Sequence, residues 1–214
     1  MFKFVLIFIY IFGVLSVSLI LKAFNQENKE FLRKIIHIGI GPLIPLAKFL
    51  NIEQEQALIV TGIMSLLVFI NYLYKLFPTI EDVNRKSFGT LFYCLSLFIL
   101  IFLFWEKDPD ALIIGFFIMT FGDGLAGLLG KNFTSKSWFL INQKKSLLGT
   151  STMFFTSLVI ICSLGYIQNY SFNFHFLSIA ILATILEQLS VLGVDNLFVP
   201  IATAFYFNIF ISNL

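Results

Sequence analysis

ALIIGFFIMTFGDGLAGLLGK, Ala111 to Lys131, is the stretch whose reading decides the fold. The 20 residues from Ala111 to Gly130 carry a single ionisable group, Asp123, in an otherwise apolar run. A helix of roughly 20 residues crosses a hydrocarbon core about 30 Å thick. The segment is therefore expected to span a membrane with one carboxylate held at depth. Such a carboxylate costs about 2.5–3.5 kcal/mol on insertion scales, so Asp123 is expected to face a cavity or a partner and not lipid.

The rest of the chain repeats the signal. Of 214 residues, 58% are hydrophobic and 12% charged, against about a quarter charged in a soluble domain. Apolar runs lie at about 4–21, 35–50, 57–74, 91–105, 111–129, 152–167, 175–192 and 197–212. The expected architecture is all-α, a polytopic membrane helical bundle of about seven (six to eight) spans forming one domain over 1–214. Gly39, Gly41, Pro42 and Pro45 interrupt the second run, which predicts a broken or re-entrant helix. The first run is longer than a signal-peptide core and is read as a retained helix. Cys94 and Cys162 sit alone in apolar runs, without the spacing of a zinc site or a disulfide framework, and read as packing residues. The formal net charge is +2 with no basic tract interleaved with aromatics, which sets nucleic acid aside.

Basic residues alternate between connections. Those beginning at Lys22, Lys75 and Lys131 hold Lys22, Lys29, Arg33 and Lys34; Lys75, Arg85 and Lys86; and Lys131, Lys136, Lys144 and Lys145. The intervening ones carry Lys48, then Lys107, then neither Lys nor Arg between Gln168 and Asn173. Positive-inside bias makes the basic loops cytoplasmic and the N-terminus external. The same topology places the Gly193–Asn196 connection on the cytoplasmic side, and with it His37, Asp123, Glu187, Asp195 and Asn196 in the cytoplasmic third of the membrane. The loop with Glu81, Asp82, Arg85 and Lys86 reads as solvated, and His175 as an interfacial side chain on the outer side.

In FGDGLAGLLGK, Phe121 to Lys131, the residues Asp123, Ala126, Gly127 and Gly130 share a helical face. Small residues there admit close approach of a helix or a ligand; a packed seam with Asp123 hydrogen-bonded across it is the purely structural alternative. It is no Walker A loop, because Leu125 stands where the first glycine belongs and Asn132 replaces the Ser or Thr. KKSLLGTSTMF, Lys144 to Phe154, puts two cations, a hydroxyl and a glycine where a loop re-enters the membrane as a helix. Such a helix start attracts phosphate, although a lysine pair beside a span is also an orientation signal. Together these parts can hold a nucleoside triphosphate, with Asp123 or Asp195 ligating magnesium. His37, Asp123 and Glu187 compete to orient or deprotonate an acceptor hydroxyl. The membrane setting favours an acceptor whose tail stays in lipid.

Four segments in order resemble the polyprenol kinase family, which includes dolichol and phytol kinases. RKIIHIGIG (Arg33–Gly41) resembles its Arg-Lys and His segment, and FGDGLAGLLGK its Gly-Asp-Gly motif. KKSLLGTSTMF resembles its Lys-Ser-x-x-Gly-Ser stretch, and LEQLSVLGVDNLFVP (Leu186–Pro200) its closing Glu and Asp-Asn-x-x-x-Pro stretch. The short length, LEQ and VDN look most like the cyanobacterial and plant phytol kinases. The resemblance implies magnesium-dependent transfer of the terminal phosphoryl group of CTP, with UTP as a second donor, to phytol or a related isoprenoid alcohol, feeding tocopherol, quinone or chlorophyll metabolism. Carried over by position, it makes Asp123, Lys131, Lys145, Ser146, Gly149, Glu187, Asp195 and Asn196 the candidates for nucleotide, metal and catalysis. Taken with the residue reading above, we expect Asp123, Glu187 and His37 to be catalytic, Arg33, Lys34, Lys131, Lys144, Lys145, Ser146 and Gly149 to bind nucleotide and phosphate, and Asp123, Asp195 and Asn196 to hold metal. Thr134, Thr150 and Phe198 depart from the family pattern, which bears on substrate choice. Rival readings are another polyprenol kinase, a cytidylyltransferase making a CDP-lipid, and a transporter using Asp123 and Glu187 as ion sites, for which no inverted repeat is visible.

Overall fold

The computed structural model describes residues 2–24, 29–74, 88–141 and 143–212. The loop with Lys75, Glu81, Asp82, Arg85 and Lys86 lies outside the described residues. Ten α-helices are described: α1 (Phe2–Phe24), α2 (Lys29–Gly39), α3 (Leu43–Phe49), α4 (Gln54–Tyr74), α5 (Gly89–Phe104), α6 (Pro109–Phe117), α7 (Gly124–Asn132), α8 (Leu147–Ile167), α9 (Phe174–Leu189) and α10 (Asp195–Phe207). Two π-helical turns, Ile118–Asp123 and Asn208–Ser212, prolong α6 into α7 and extend α10. Between α7 and α8 stands a small antiparallel hairpin of β1 (Ser137–Leu140) and β2 (Gln143–Ser146).

Four helical stretches are long and apolar enough to cross a membrane: Phe2–Leu21, Gln54–Tyr74, Pro109–Asn132 and Leu147–Ile167; α5 and α9 are shorter apolar helices. Large apolar side chains cover the outside, among them Phe8, Phe12, Ile59, Phe102, Phe155 and Val159, all more than half exposed. In water such a surface would drive association; in a bilayer it is the lipid-facing surface. The protein is a multi-pass membrane helical protein.

The stretch that opened the reading is the central helix. Of its apolar window 61% is buried, against 11–22% in the other three long helices. Pro109 opens it behind an Asp108 cap, whose carboxylate accepts from Ala111 N at 3.0 Å and from Asn208 Nδ2 at 2.7 Å. Its own Phe116 is fully buried, as are Trp105, Phe176 and Phe207 on other segments. Gly115 lets α10 cross closely, because a Cβ there would collide with the Pro200 carbonyl. The π turn was not visible in the sequence. It inserts extra backbone just ahead of Asp123, a geometry that occurs mostly at functional sites.

The second apolar run breaks where its glycines and Pro42 fall. The 11-residue α2 ends at Gly39, and α3 restarts at Leu43 for only 7 residues, so neither crosses a membrane alone. The glycines are there for proximity: a Cβ on Gly39 would meet Val14 of α1 at 2.6 Å, and one on Gly41 would meet Phe121 at 2.7 Å. The connections alternate between two ends of the bundle as the basic residues implied. One end is tied by Lys3 to Asn51 (2.9 Å), Gln54 to Ile101 (2.9 Å) and Gln168 to Asp110 (2.8 Å). At the other end α7 hands over to the hairpin, α9 turns into α10, and a polar cavity opens.

Candidate active site

The cavity has a volume of about 330 Å³ and is built from segments far apart in the chain. The middle of α2 brings Arg33 and Lys34. The π turn and α7 bring Asp123, Gly127, Gly130 and Lys131, and β2 with the start of α8 brings Lys144, Lys145, Ser146 and Gly149. The α9–α10 corner completes it with Glu187, Gln188, Asp195 and Asn196. Five cations and three carboxylates line it, an excess of positive charge suited to a polyanion.

At the α2–α7 wall, Asp123 and Lys34 are 8% and 7% exposed, and Lys34 Nζ donates to Asp123 Oδ2 at 2.5 Å and to the Asp123 carbonyl at 3.2 Å. Gly127 makes this possible, since a Cβ there would lie 2.7 Å from Lys34 Cε. We expect Gly127→Ala to displace Lys34 and lower kcat/KM by about tenfold, since a small misplacement of reacting groups carries penalties of that order or more. Unchanged insertion and melting beside that loss would locate the effect at Lys34, the one side chain a Cβ at this position meets.

Behind Asp123 lies His37, which does not line the cavity. Its Nε2 is 3.2 Å from the Met119 carbonyl, to which it can donate, and 3.7 Å from Asp123 Oδ2. Tyr93, unremarked in the sequence because it sits in an apolar run, donates its hydroxyl to the His37 carbonyl at 3.1 Å and lies 3.2 Å from Thr120 Oγ1. Its ring packs on the imidazole with centroids 4.3 Å apart.

On the opposite wall Lys145, 9% exposed, donates to Glu187 Oε1 and to the Glu187 carbonyl, both at 2.6 Å. Gln188 Nε2 extends this cluster, donating to Glu187 Oε2 at 2.8 Å and to Thr150 Oγ1 at 2.7 Å. Neither Gln188 nor Thr150 is among the expected site residues; their signals in the sequence are the LEQ triplet and the threonine that closes the Lys-Ser-x-x-Gly-Ser stretch. Ser146 caps α8: its Oγ accepts from Gly149 N at 3.1 Å and faces the Gly130 carbonyl at 3.3 Å. The helix starts at Leu147, five residues ahead of the apolar run, because the Ser146 cap sets its end. Gly130 and Gly149 let α7 and α8 meet there; a Cβ on Gly130 would lie 2.8 Å from Ser146 Oγ and 3.1 Å from Gly149 Cα. The shared face read in the sequence from Asp123 through Ala126 and Gly127 to Gly130 lines the cavity as a whole.

At the α9–α10 corner the chain turns through Leu192 and Gly193, with φ 56° and 86°. The left-handed pair turns it sharply enough that Asp195 and Asn196 start α10 at the cavity. Ser190 Oγ accepts from Asp195 N at 2.6 Å, and Asn196 Nδ2 donates to the Gly89 carbonyl at 2.9 Å. Nothing among the described residues donates a hydrogen bond to the buried Asn196 Oδ1. Among the described residues no three His, Cys, Asp or Glu side chains gather as a closed metal cage. Asp123, Asp195 and Asn196 all line the cavity, and their oxygens are of the hard type that could ligate magnesium arriving with phosphates.

All the residues expected to bind nucleotide or metal or to take part in catalysis, His37 apart, thus line one cavity. No protein-family model matches the chain, and no solved structure matches it. Among curated proteins, one named phytol kinase from Synechocystis is 31% identical over 202 residues, covering 91% of this chain and 85% of that one. A probable phytol kinase, chloroplastic, of Zea mays is 29% identical, covering 87% and 69% of the two chains. Phytol kinase 1, chloroplastic, of Arabidopsis thaliana is also 29% identical, covering 84% and 66%. With nearly a third of its residues shared along most of both sequences, this chain belongs to the phytol kinase family.

Proposed function

We propose that the cavity moves the terminal phosphoryl group of CTP, or of UTP, to the hydroxyl of phytol or a close isoprenoid alcohol, on the cytoplasmic face of the membrane. The observation that carries the reading is the cavity itself: cations, carboxylates and a capped helix start meet at one end of a lipid-exposed bundle. There a soluble triphosphate and an oily alcohol can touch. The names of the relatives support phytol as acceptor, and the alternation of basic loops supports the cytoplasmic side.

Lys34 and Lys145, each held by a carboxylate, turn to the phosphates when the triphosphate enters, helped by Arg33, Lys131, Lys144 and the amides at Gly149. The exchange frees Asp123 and Glu187. Asp123, Asp195 and Asn196 would hold magnesium, which when bound neutralises phosphate charge. Glu187 receives the hydroxyl proton; the alcohol oxygen bonds to the terminal phosphorus as its bond to the bridging oxygen breaks, and CDP leaves. His37 acts only through Asp123, as a positioning residue.

Purified protein in detergent, given phytol and CTP labelled at the terminal phosphorus, is expected to move the label into the lipid phase. Pyrophosphate release with CMP left on a lipid would mark a cytidylyltransferase instead. Turnover in detergent, where no transmembrane gradient exists, makes a transport role unnecessary.

A further inference from the structure

We infer that the β1–β2 hairpin is an interfacial anchor, seated among the lipid headgroups of the membrane that holds the bundle. Its side chains are the wrong ones for a solvated loop. Trp138, Phe139 and Ile141 are 37%, 78% and 52% exposed, and Phe133 and Leu147 at its base are 59% and 51% exposed. An exposed apolar hairpin in water invites association through its edges, whereas Trp favours the membrane interface.

Backbone geometry points the same way. The pairing of Leu140 with Gln143 leaves a two-residue connection, Ile141-Asn142, of the kind that normally takes Asn or Gly where φ is positive. Ile141 has φ 46°, a strained conformation for a β-branched residue, yet its side chain is half exposed and so gains little from the protein. Contact with lipid supplies the missing gain. Charge supplies the complement: from Gly124 to Leu186 the chain has no Asp or Glu, while the exposed Lys131, Lys136 and Lys144 lie beside or on the hairpin. Clustered lysines beside a span suit anionic headgroups. The surface is also continuous with the lipid-facing side of α8, along Leu147, Phe155 and Val159.

The anchor bears on the cavity because Trp138 pairs across the hairpin with Lys145, and Phe139 with Lys144. Seating the aromatic strand fixes the height of both lysines relative to the leaflet. None of this depends on which group the cavity transfers.

The chain has two tryptophans, and Trp105 is 1% exposed, so the fluorescence removed by Trp138→Phe reports the hairpin alone. In nanodiscs of phosphatidylcholine and phosphatidylglycerol brominated near the top of the acyl chain, that component is expected to be quenched about twofold or more and shielded from aqueous acrylamide, as for an interfacial Trp. Ile141→Asn should melt no lower than the parent in detergent, because it relieves the turn, yet halve the lipid quenching of Trp138. Free access of acrylamide without lipid quenching would overturn the anchor, as would protection that appears only when CTP is added, which marks a lid. A lower melting point for Ile141→Asn would also overturn it, by placing that side chain's contacts inside the protein.

Discussion

Replacing Asp123 with Asn should lower turnover about 10³-fold while the protein still inserts, an effect of the size seen when one transition-state stabilising group is lost. Asn keeps the shape and an acceptor for Lys34 but removes the charge, so the loss falls on metal and phosphate handling. A second consequence follows from burial. Lys34 and Asp123 are paired at 2.5 Å with side chains only 9% and 11% exposed, and breaking such a pair from one side destabilises by about 3–5 kcal/mol. The single variant should therefore melt earlier as well as work slowly, and the two effects need separating. Lys34→Met combined with Asp123→Asn removes both charges together. The double variant is expected to recover most of the melting temperature and none of the activity. Recovery of both would reduce Asp123 to a structural partner of Lys34, and turnover within tenfold of the parent in the single variant would remove it from the reaction.

That much of this could be read from the sequence has a physical cause. An ionisable group in hydrocarbon is so unfavourable that it needs a local reason, and the chain has few: Asp123 and Glu187 in apolar runs could be expected to face a cavity before any coordinate was known. Basic loops alternate for an equally general reason, and they sorted the connections to the correct ends of the bundle. Proline and glycine at Gly39–Pro42 marked the break between α2 and α3. What escaped were features with no periodic or charge signature. The π turn at Ile118–Asp123 is one extra residue in a helix whose composition does not change. The hairpin escaped because Ser137–Leu140 neither alternates cleanly nor forms a long apolar run, and its Ile141-Asn142 turn breaks the usual turn chemistry. His37 could be placed at the right depth, but depth along a helix does not say which face a side chain takes. In the fold it looks toward Met119 and the back of Asp123, with Tyr93 against its ring.

The opposite wall allows a test that separates pairing from position. Lys145 and Glu187 meet at 2.6 Å, with Gln188 bracing the carboxylate. Lys145→Glu sets two carboxylates against each other and removes a cation from the phosphate side, and turnover should fall about 10²–10³-fold, as when a preorganised charge stabiliser is removed. Exchanging the two residues, Lys145→Glu with Glu187→Lys, restores an ion pair of the same charge but puts the cation on α9 and the carboxylate on the hairpin strand. If the pair served only to hold β2 against α9, the exchange would bring back melting temperature and activity together. In the reaction proposed here the two residues have separate duties: Lys145 beside the helix start that cradles phosphate, Glu187 where the hydroxyl gives up its proton. The exchanged protein should then melt near the parent, remain at least about 10²-fold slower, and show a raised KM for CTP, because the phosphate-binding cation has moved away from the amides at Gly149.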